Sequence, residues 1–102
     1  MAHVDSYSRI TSGTIPAQVW DEVWFSLASW KGYLQSVPGF RAMRFAARML
    51  NNGDVSFYLT TSWSYPEQLE EWHGSEWAGD KLLGKFGVEI KDLQSDTYED
   101  LS

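Results

Sequence analysis

The chain has 102 residues, of which 43% are hydrophobic and 16% are aromatic. This length predicts a single domain over residues 1–102, with an ordered core of about 5–98, and the hydrophobic content argues against disorder. The net charge of −6 argues against a nucleic acid partner, because phosphate backbones require a basic surface. The absence of cysteine excludes disulfides and thiolate sites, and no apolar run is long enough to span a membrane. We therefore expect a cytoplasmic protein that contacts neither nucleic acid nor membrane.

The first half of the chain predicts a strand, a helix and a second strand. Residues 4–10 alternate weakly and predict the first strand, which the Ser-Gly-Thr sequence at 12–14 is expected to end. Thr14 is the expected N-cap of a helix that runs to about Gln35, with apolar residues every three or four positions. Pro38 and Gly39 suit the centre of a type II turn, and a second strand is expected over residues 40–50.

The second half begins with an Asn-Asn-Gly-Asp sequence at 51–54 that predicts a hairpin. The third strand, residues 55–63, alternates between an apolar face and a face of hydroxyl-bearing residues. Ser64 and Glu67 match a capping box, so a second helix is expected to follow and to end near Gly74. A last strand is expected over residues 88–98, at an edge of the sheet or at a subunit contact, followed by a tail.

The order β-α-β-β-α-β predicts an α+β, ferredoxin-like fold with an antiparallel sheet and both helices on one face. The other face would then be bare. Tyr58, Met43 and Phe45, or the residues opposite them, cannot all face water without forming a large apolar patch. We therefore expect a homodimer in which two sheets pack face to face or close into a barrel.

Several of these segments together resemble the antibiotic-biosynthesis monooxygenase (ABM) domains of the dimeric α+β barrel superfamily. The resemblance spans roughly residues 7–98 and is carried by the turn at 37–40, Arg44, residues 61–64 and the helix at 66–72. It implies the dimeric α+β barrel architecture. The functions it implies include cofactor-free oxygenases acting on phenolic polyketides or quinols, haem-degrading enzymes, and proteins with no established activity.

The haem-degrading branch is known for an Asn on the first strand, a Trp late in the second helix and a haem-ligating His about ten residues later. On this sequence the resemblance places these positions at Ser8, at Trp72 and near Leu82. Only the tryptophan matches, and leucine cannot ligate iron. No cofactor is therefore expected, although haem could still bind through His73 in a different arrangement.

Three residues are candidate catalytic groups. His73 is the only histidine outside the N-terminal segment, and so the only ready general base near neutral pH. Arg44 could stabilise a phenolate or enolate oxygen, and Tyr58 could hydrogen-bond the same atom. The alternative is structural: His73 would interact with the carbonyl groups at a helix end, and strand arginines would pair with carboxylates across the sheet. A lone histidine without other ligands at a recognisable spacing predicts no metal site.

Four further residues are candidate ligand-binding groups. Trp72 and Trp77 could form an aromatic wall for a planar substrate, with Phe45 nearby and Arg9 binding a substrate oxygen. The same rings could instead pack in the core. The sequence therefore favours a small homodimeric ABM-like protein that binds a small planar apolar molecule. If catalytic, it would be a cofactor-independent monooxygenase of aromatic or quinol-type substrates. One alternative is a non-catalytic dimer that binds haem or an aromatic ligand, or that has a regulatory role. Another is a purely structural dimer.

Overall fold

The protein, described by a computed structural model over residues 3–74 and 90–102, has a four-stranded antiparallel sheet with helices on one face. This α+β, ferredoxin-like arrangement confirms the predicted fold class. The strand order is β2-β3-β1-β4, so β2 and β4 form the two edges. No helix in the described ranges is long and apolar enough to cross a membrane. The elements in chain order are β1 (Val4–Pro16), a short 3-10 helix (Ala17–Val19), α1 (Trp20–Leu34), β2 (Phe40–Met49), β3 (Asp54–Trp63), α2 (Pro66–Gly74) and β4 (Lys91–Leu101).

Strand β1 is longer than the sequence predicts, because residues 12–14 do not end it. The pairing with β3 runs without interruption from Tyr7 opposite Trp63 to Pro16 opposite Asp54. Gly13 does not break the strand. It allows Ile90 to approach closely, since a Cβ at position 13 would lie 2.5 Å from Ile90 Cγ2. The prediction that Thr14 caps the first helix was therefore wrong.

Both predicted turns are present, and each contains a glycine with positive φ. Gly39 has φ +82° in the turn before β2, where the Phe40 amide donates to the Val37 carbonyl over 3.2 Å. Gly53 has φ +88° in the hairpin that joins β2 to β3. Such values favour glycine because a Cβ is strained in this conformation. The hairpin at Gly53 connects the antiparallel pair β2 and β3, which the sequence predicted.

The start of helix α2 and the end of strand β4 differ from the sequence prediction. The reciprocal side-chain bonds predicted for Ser64 and Glu67 are not formed among the described residues; instead the Ser64 amide donates to the Gly39 carbonyl over 2.8 Å. Strand β4 continues to Leu101, where the sequence predicts a tail, and pairs with Val4 at its end. The reason is that β1 offers an unpaired edge along its whole length, which local sequence does not reveal.

The helix-facing side of the sheet holds the hydrophobic core. Residues with side chains at least nine-tenths buried come from both helices and from β1, β2 and β3, so one continuous core joins the helices to the sheet. They are Ile15, Val23, Leu27, Leu34, Met43, Val55, Phe57, Leu59, Trp63, Leu69 and Trp72.

The opposite side of the sheet, called here the open face, is not the apolar patch that the sequence predicts. Met43 and Phe45 pair with Thr61 and Leu59 and share the helix-facing side with them. On the open face, Tyr58 lies among small and polar neighbours. These include Ser8, Ser12, Thr14, Ala42, Ala46, Ser56, Thr60 and Ser62, and the apolar residues of this face besides Tyr58 include Ile10 and Tyr98.

Candidate functional site

The predicted site residues do not form one site, because the sheet separates them. Directly paired residues of neighbouring strands point to the same face, so Arg44 and Tyr58 belong to the open face. Phe45 and Arg9 lie on the helix-facing side, where Trp72 also packs. The catalytic candidates Arg44 and Tyr58 thus cannot act on a ligand held beside Trp72.

Two further candidates cannot be placed. His73 belongs to α2, directly after Trp72, but its side chain lies outside the described part of the structure. Trp77 lies outside the described residues altogether, as does Leu82. Their assignment to the site stays a prediction.

A cavity of about 360 Å³ lies on the helix-facing side, between the end of α1 and helix α2. We call it the helix-side cavity. The indole rings of Trp63 and Trp72 lie in contact in its wall, with centroids 6.0 Å apart and planes tilted by 40°. Its lining residues are Tyr33, Leu34, Val37, Pro38, Trp63, Gln68, Glu71 and Trp72.

The helix-side cavity has an apolar floor and a polar mouth. Leu34, Trp63 and Trp72 are buried, whereas Tyr33 and Glu71 are exposed at the surface. Such a combination of aromatic walls with few polar groups is typical of small-molecule sites. Of the described residues predicted to bind a ligand, only Trp72 lines this cavity.

Two buried polar atoms of lining residues lack a partner among the described residues. They are the indole nitrogen Nε1 of Trp63 and the amide oxygen Oε1 of Gln68. The Gln68 side chain packs against the turn, where a Cβ at Gly39 would overlap its amide. Buried polar groups are usually hydrogen-bonded, so these two atoms call for a partner.

Arg9 has a structural role on the helix-facing side. Its guanidinium donates to Ser95 Oγ and to Thr97 Oγ1, each over 2.8 Å, and so ties β1 to β4. Phe45 also packs structurally, stacked on Trp20 with ring centroids 5.4 Å apart and on Trp24 at 6.2 Å. It borders a groove of about 470 Å³ between α1 and β2, away from Trp72.

The open face has its own shallow cavity of about 360 Å³, which Arg44 and Tyr58 line together with Asp100. Arg44 also borders the groove beside α1, because β2 is an outermost strand. Ser8 Oγ donates to Asp100 Oδ2 over 2.6 Å, so the 2.9 Å contact between Ser62 and Ser8 is donated by Ser62.

The hydrogen bonds from Ser62 to Ser8 and from Ser8 to Asp100 form a chain on the open face. The Asp100 carboxylate at its end also accepts a hydrogen bond from Ser6 Oγ over 2.6 Å. Ser8 therefore lies on the opposite face of the sheet from Trp72, and the two cannot act on one ligand as the haem-degrading resemblance would require.

In residues 3–74 and 90–102, no group of three His, Cys, Asp or Glu residues could hold a metal ion.

The sequence analysis missed Tyr33, Gln68 and Glu71. A signal was available for two of them: Gln68, Glu71 and Trp72 lie three and four positions apart, which places them on one side of α2. No signal pointed to Tyr33, because the approach of α1 to α2 is a tertiary contact.

The comparisons with known proteins show the fold. The structure is similar to that of a putative antibiotic biosynthesis monooxygenase from Bacillus cereus, with 15% identity, 93% of this chain and 92% of that chain covered, and a TM-score of 0.62. It is also similar to PA3566 from Pseudomonas aeruginosa, with 14% identity, 98% and 99% covered, and a TM-score of 0.66.

A third similar structure is the heme degrader MhuD from Mycobacterium tuberculosis, solved with two hemes bound in its active site. It is 16% identical, covers 92% of this chain and 94% of its own, and has a TM-score of 0.57. No family model and no curated protein matches the sequence. The chain therefore has an ABM-like fold, which confirms the resemblance at the level of the fold.

Proposed function

We propose that this ABM-like chain forms a homodimer and binds a small planar apolar molecule in the helix-side cavity. The observation that carries the proposal is the wall made by Trp63 and Trp72, which lies beside a space of about 360 Å³. This volume is within the range of roughly 300–1,000 Å³ that small-molecule sites occupy. Indole rings favour planar ligands because offset or tilted ring contacts are attractive.

The polar atoms of the cavity narrow the ligand class. Trp63 Nε1 can donate a hydrogen bond and Gln68 Oε1 can accept one, and neither has a partner within the described residues. A ligand carbonyl would suit the first atom, and a ligand hydroxyl would suit the second. A phenol, quinol or quinone offers these groups on a planar ring, so we expect this class.

Haem fits the described lining less well. Haem iron in proteins is held by His, Cys, Met or Tyr, and among the described residues that line the helix-side cavity Tyr33 alone is of these types, exposed at the mouth. Tyr33 and Glu71 offer only oxygen atoms. We therefore assign haem no role in the proposed function, and haem serves as a competing ligand in the test.

The test is a tryptophan-fluorescence titration with a naphthoquinone, a polyphenol and haem. Tyr33→Ala is expected to weaken binding of the ring compounds about tenfold, because it removes one aromatic contact. Tyr65→Ala is the matched control, since Tyr33 and Tyr65 are 60% and 61% exposed and only Tyr33 lines the cavity. Saturable quenching that Tyr33→Ala and Tyr65→Ala weaken equally, or no saturable quenching, would contradict the cavity as the binding site.

A second candidate function is cofactor-independent oxygenation of the same ligand class. Two observations favour it: the fold likeness to a putative antibiotic biosynthesis monooxygenase, and the Glu71 carboxylate at the mouth of the cavity. In such chemistry the deprotonated substrate itself gives an electron to oxygen. Glu71 would accept the phenolic proton, and the aromatic wall would position the ring and exclude water.

Oxygen consumption with a quinol substrate tests this second function. Glu71→Gln is expected to lower the rate about a hundredfold, because general-base catalysis contributes about that much or more. Glu70→Gln is the control, since Glu70 is the exposed neighbour and does not line the cavity. Equal rates in the two variants, or no oxygen uptake above the buffer, would exclude Glu71 as the base and leave the binding function standing.

The homodimer part of the proposal rests on the sheet. No described strand pairs with the outer edge of β2 or of β4, and these edges are 10 and 11 residues long. Long unpaired edges are usually protected by a partner or by cover. Sedimentation equilibrium should therefore give twice the mass of the chain, and a single-chain mass at micromolar concentration would contradict the dimer.

A further inference from the structure

We propose that a second binding site lies between α1 and the outer edge of β2, and that it takes a small planar aromatic molecule carrying a carboxylate. The site is the groove that Phe45 borders, called here the edge groove. It is separate from the helix-side cavity, with which it shares no described lining residue. The inference therefore goes beyond the proposed function and does not depend on it.

The edge groove offers space above an apolar floor. Its volume of about 470 Å³ is within the range of roughly 300–1,000 Å³ that small-molecule sites occupy. The small side chains of Ala28 on α1 and Ala42 on β2 leave this room, and the buried Leu27 and Met43 line the groove beneath it. Its lining residues are Trp24, Leu27, Ala28, Lys31, Ala42, Met43, Arg44 and Phe45.

The Trp24 indole is held in place and still has exposed surface. It stacks on Phe45 with ring centroids 6.2 Å apart and planes 15° apart. Phe45 is itself fixed by Trp20, at 5.4 Å and 19°. Even so, Trp24 is 50% exposed. A ring already held by packing loses little conformational freedom when a ligand binds, and its exposed surface favours a planar aromatic ligand.

Lys31 and Arg44 give the edge groove a positive charge. Both line it, both are exposed, and neither has an ion-pair partner among the described residues. The described lining includes no acidic residue, in a chain whose net charge is −6. An adjoining cavity of about 320 Å³ shares Lys31 and Ala42 with the groove and adds Arg41. Cations of one sign along a cleft raise the local concentration of anions.

The ring and the charge together define the ligand class. A neutral aromatic molecule would use Trp24 but neither cation, and a small inorganic anion would use the cations but not the ring. A carboxylate suits Arg44 because a guanidinium can donate two parallel hydrogen bonds to it, and Lys31 adds a second positive charge. An aromatic carboxylate is the ligand that uses all three side chains.

Equilibrium dialysis of the wild-type protein with naphthoate tests the site. Naphthalenemethanol has the same rings without the charge, and acetate has the charge without the rings. Naphthoate is expected to bind saturably and about tenfold more tightly than either, and to bind more weakly as salt screens the charges. No saturable binding of naphthoate, as when a partner chain covers this edge, would overturn the site. Equal binding of the alcohol or of acetate would overturn the ligand class.

Arg44→Gln locates the charge that the ligand uses. It should raise the dissociation constant of naphthoate about tenfold, because it removes a charge-assisted hydrogen bond. Arg48→Gln is the matched control, since Arg48 is an exposed arginine of the same strand and does not line the groove. Equal weakening by the two variants would show an effect of net charge alone and would overturn the role of Arg44.

Ala28→Leu locates the ring by filling the edge groove. Ala28 is an exposed position of α1, and leucine is also a good helix former, so the variant should fold and lose naphthoate binding about tenfold or more. Ser29→Leu is the control, because it adds the same side chain at the next exposed position of α1, outside the groove. Equal binding by the two variants would overturn the groove as the site.

Tyr33→Ala separates this site from the helix-side cavity, because Tyr33 lines that cavity and not the edge groove. It should leave naphthoate binding unchanged, whereas Trp24→Ala should weaken it about fivefold. Phe25→Ala is the control for Trp24→Ala, since Phe25 is the adjacent residue, is 74% exposed and does not line the groove. Weakening by Tyr33→Ala but not by Trp24→Ala would place naphthoate in the helix-side cavity and overturn the second site.

Discussion

The two faces of β3 perform different tasks with the same ten residues. On the helix-facing side Phe57, Leu59 and Trp63 are at most 2% exposed and join the core beneath both helices. On the open face Tyr58 and Thr60 lie among hydroxyl groups and next to Arg44. The difference shows that the aromatic binding cavity and the charged surface are separate features, with the sheet between them.

This separation explains why residues that the sequence analysis assigned to one site lie at two different places in the structure. Trp72 remained beside a cavity, whereas Arg44 and Tyr58 fell on the opposite face of the sheet. A ligand against Trp72 must therefore take its polar contacts from α1, α2 and Trp63. Arg44 and Tyr58, on the open face, cannot supply these contacts.

The largest expected difference between the faces is in core packing. Leu59→Ala should lower the free energy of unfolding by about 2–5 kcal/mol, because it removes buried atoms of the leucine side chain and leaves a cavity in the core. Thr60→Ala, on the adjacent position of the open face, should change it by only about 0.5 kcal/mol. Urea unfolding of both variants measures this. A similar loss in the two would show that the open face is packed as tightly as the core.

A smaller effect is expected where the turn before β2 meets α2. Gly39→Ala should cost about 2 kcal/mol or more, because a residue with positive φ is strained and the new methyl overlaps Gln68. Gly53→Ala has the same φ sign but open space around it, so about 1 kcal/mol is expected. Thermal unfolding of the two variants measures the cost of the overlap with Gln68 as the difference between their losses of stability. Equal losses would show that the Gln68 side chain moves aside.

The smallest effect is expected in the hydroxyl chain of the open face. Ser8→Ala removes the bonds to Ser62 and Asp100 and should cost about 1 kcal/mol, since Asp100 keeps its bond from Ser6. Ser12→Ala is the control, because Ser12 lies on the same face and its side chain makes no such bond to the described residues. Neither change should alter ligand binding in the helix-side cavity. Weaker quinone binding in Ser8→Ala would show that the faces are coupled.

Local patterns predicted much of this fold because they depend on near neighbours. The alternation in residues 55–63 predicted both faces of β3, and Gly39 and Gly53 marked turns whose backbone favours glycine. The same reasoning misjudged Gly13, which looks like a strand break in isolation. Its role depends on Ile90, far along the chain, and only the packed structure brings the two together.

The sequence by itself determined the order of the elements, the antiparallel pairing of β2 with β3 and the ferredoxin-like fold class, because periodicity and turn chemistry are local. Only the tertiary structure decided which residues share a site. A shift of one position along a strand moves a side chain to the other face, so Arg44 and Phe45 belong to different surfaces. The helix-side cavity exists because α1 and α2 approach over Trp63, and no local pattern encodes the distance between two helices.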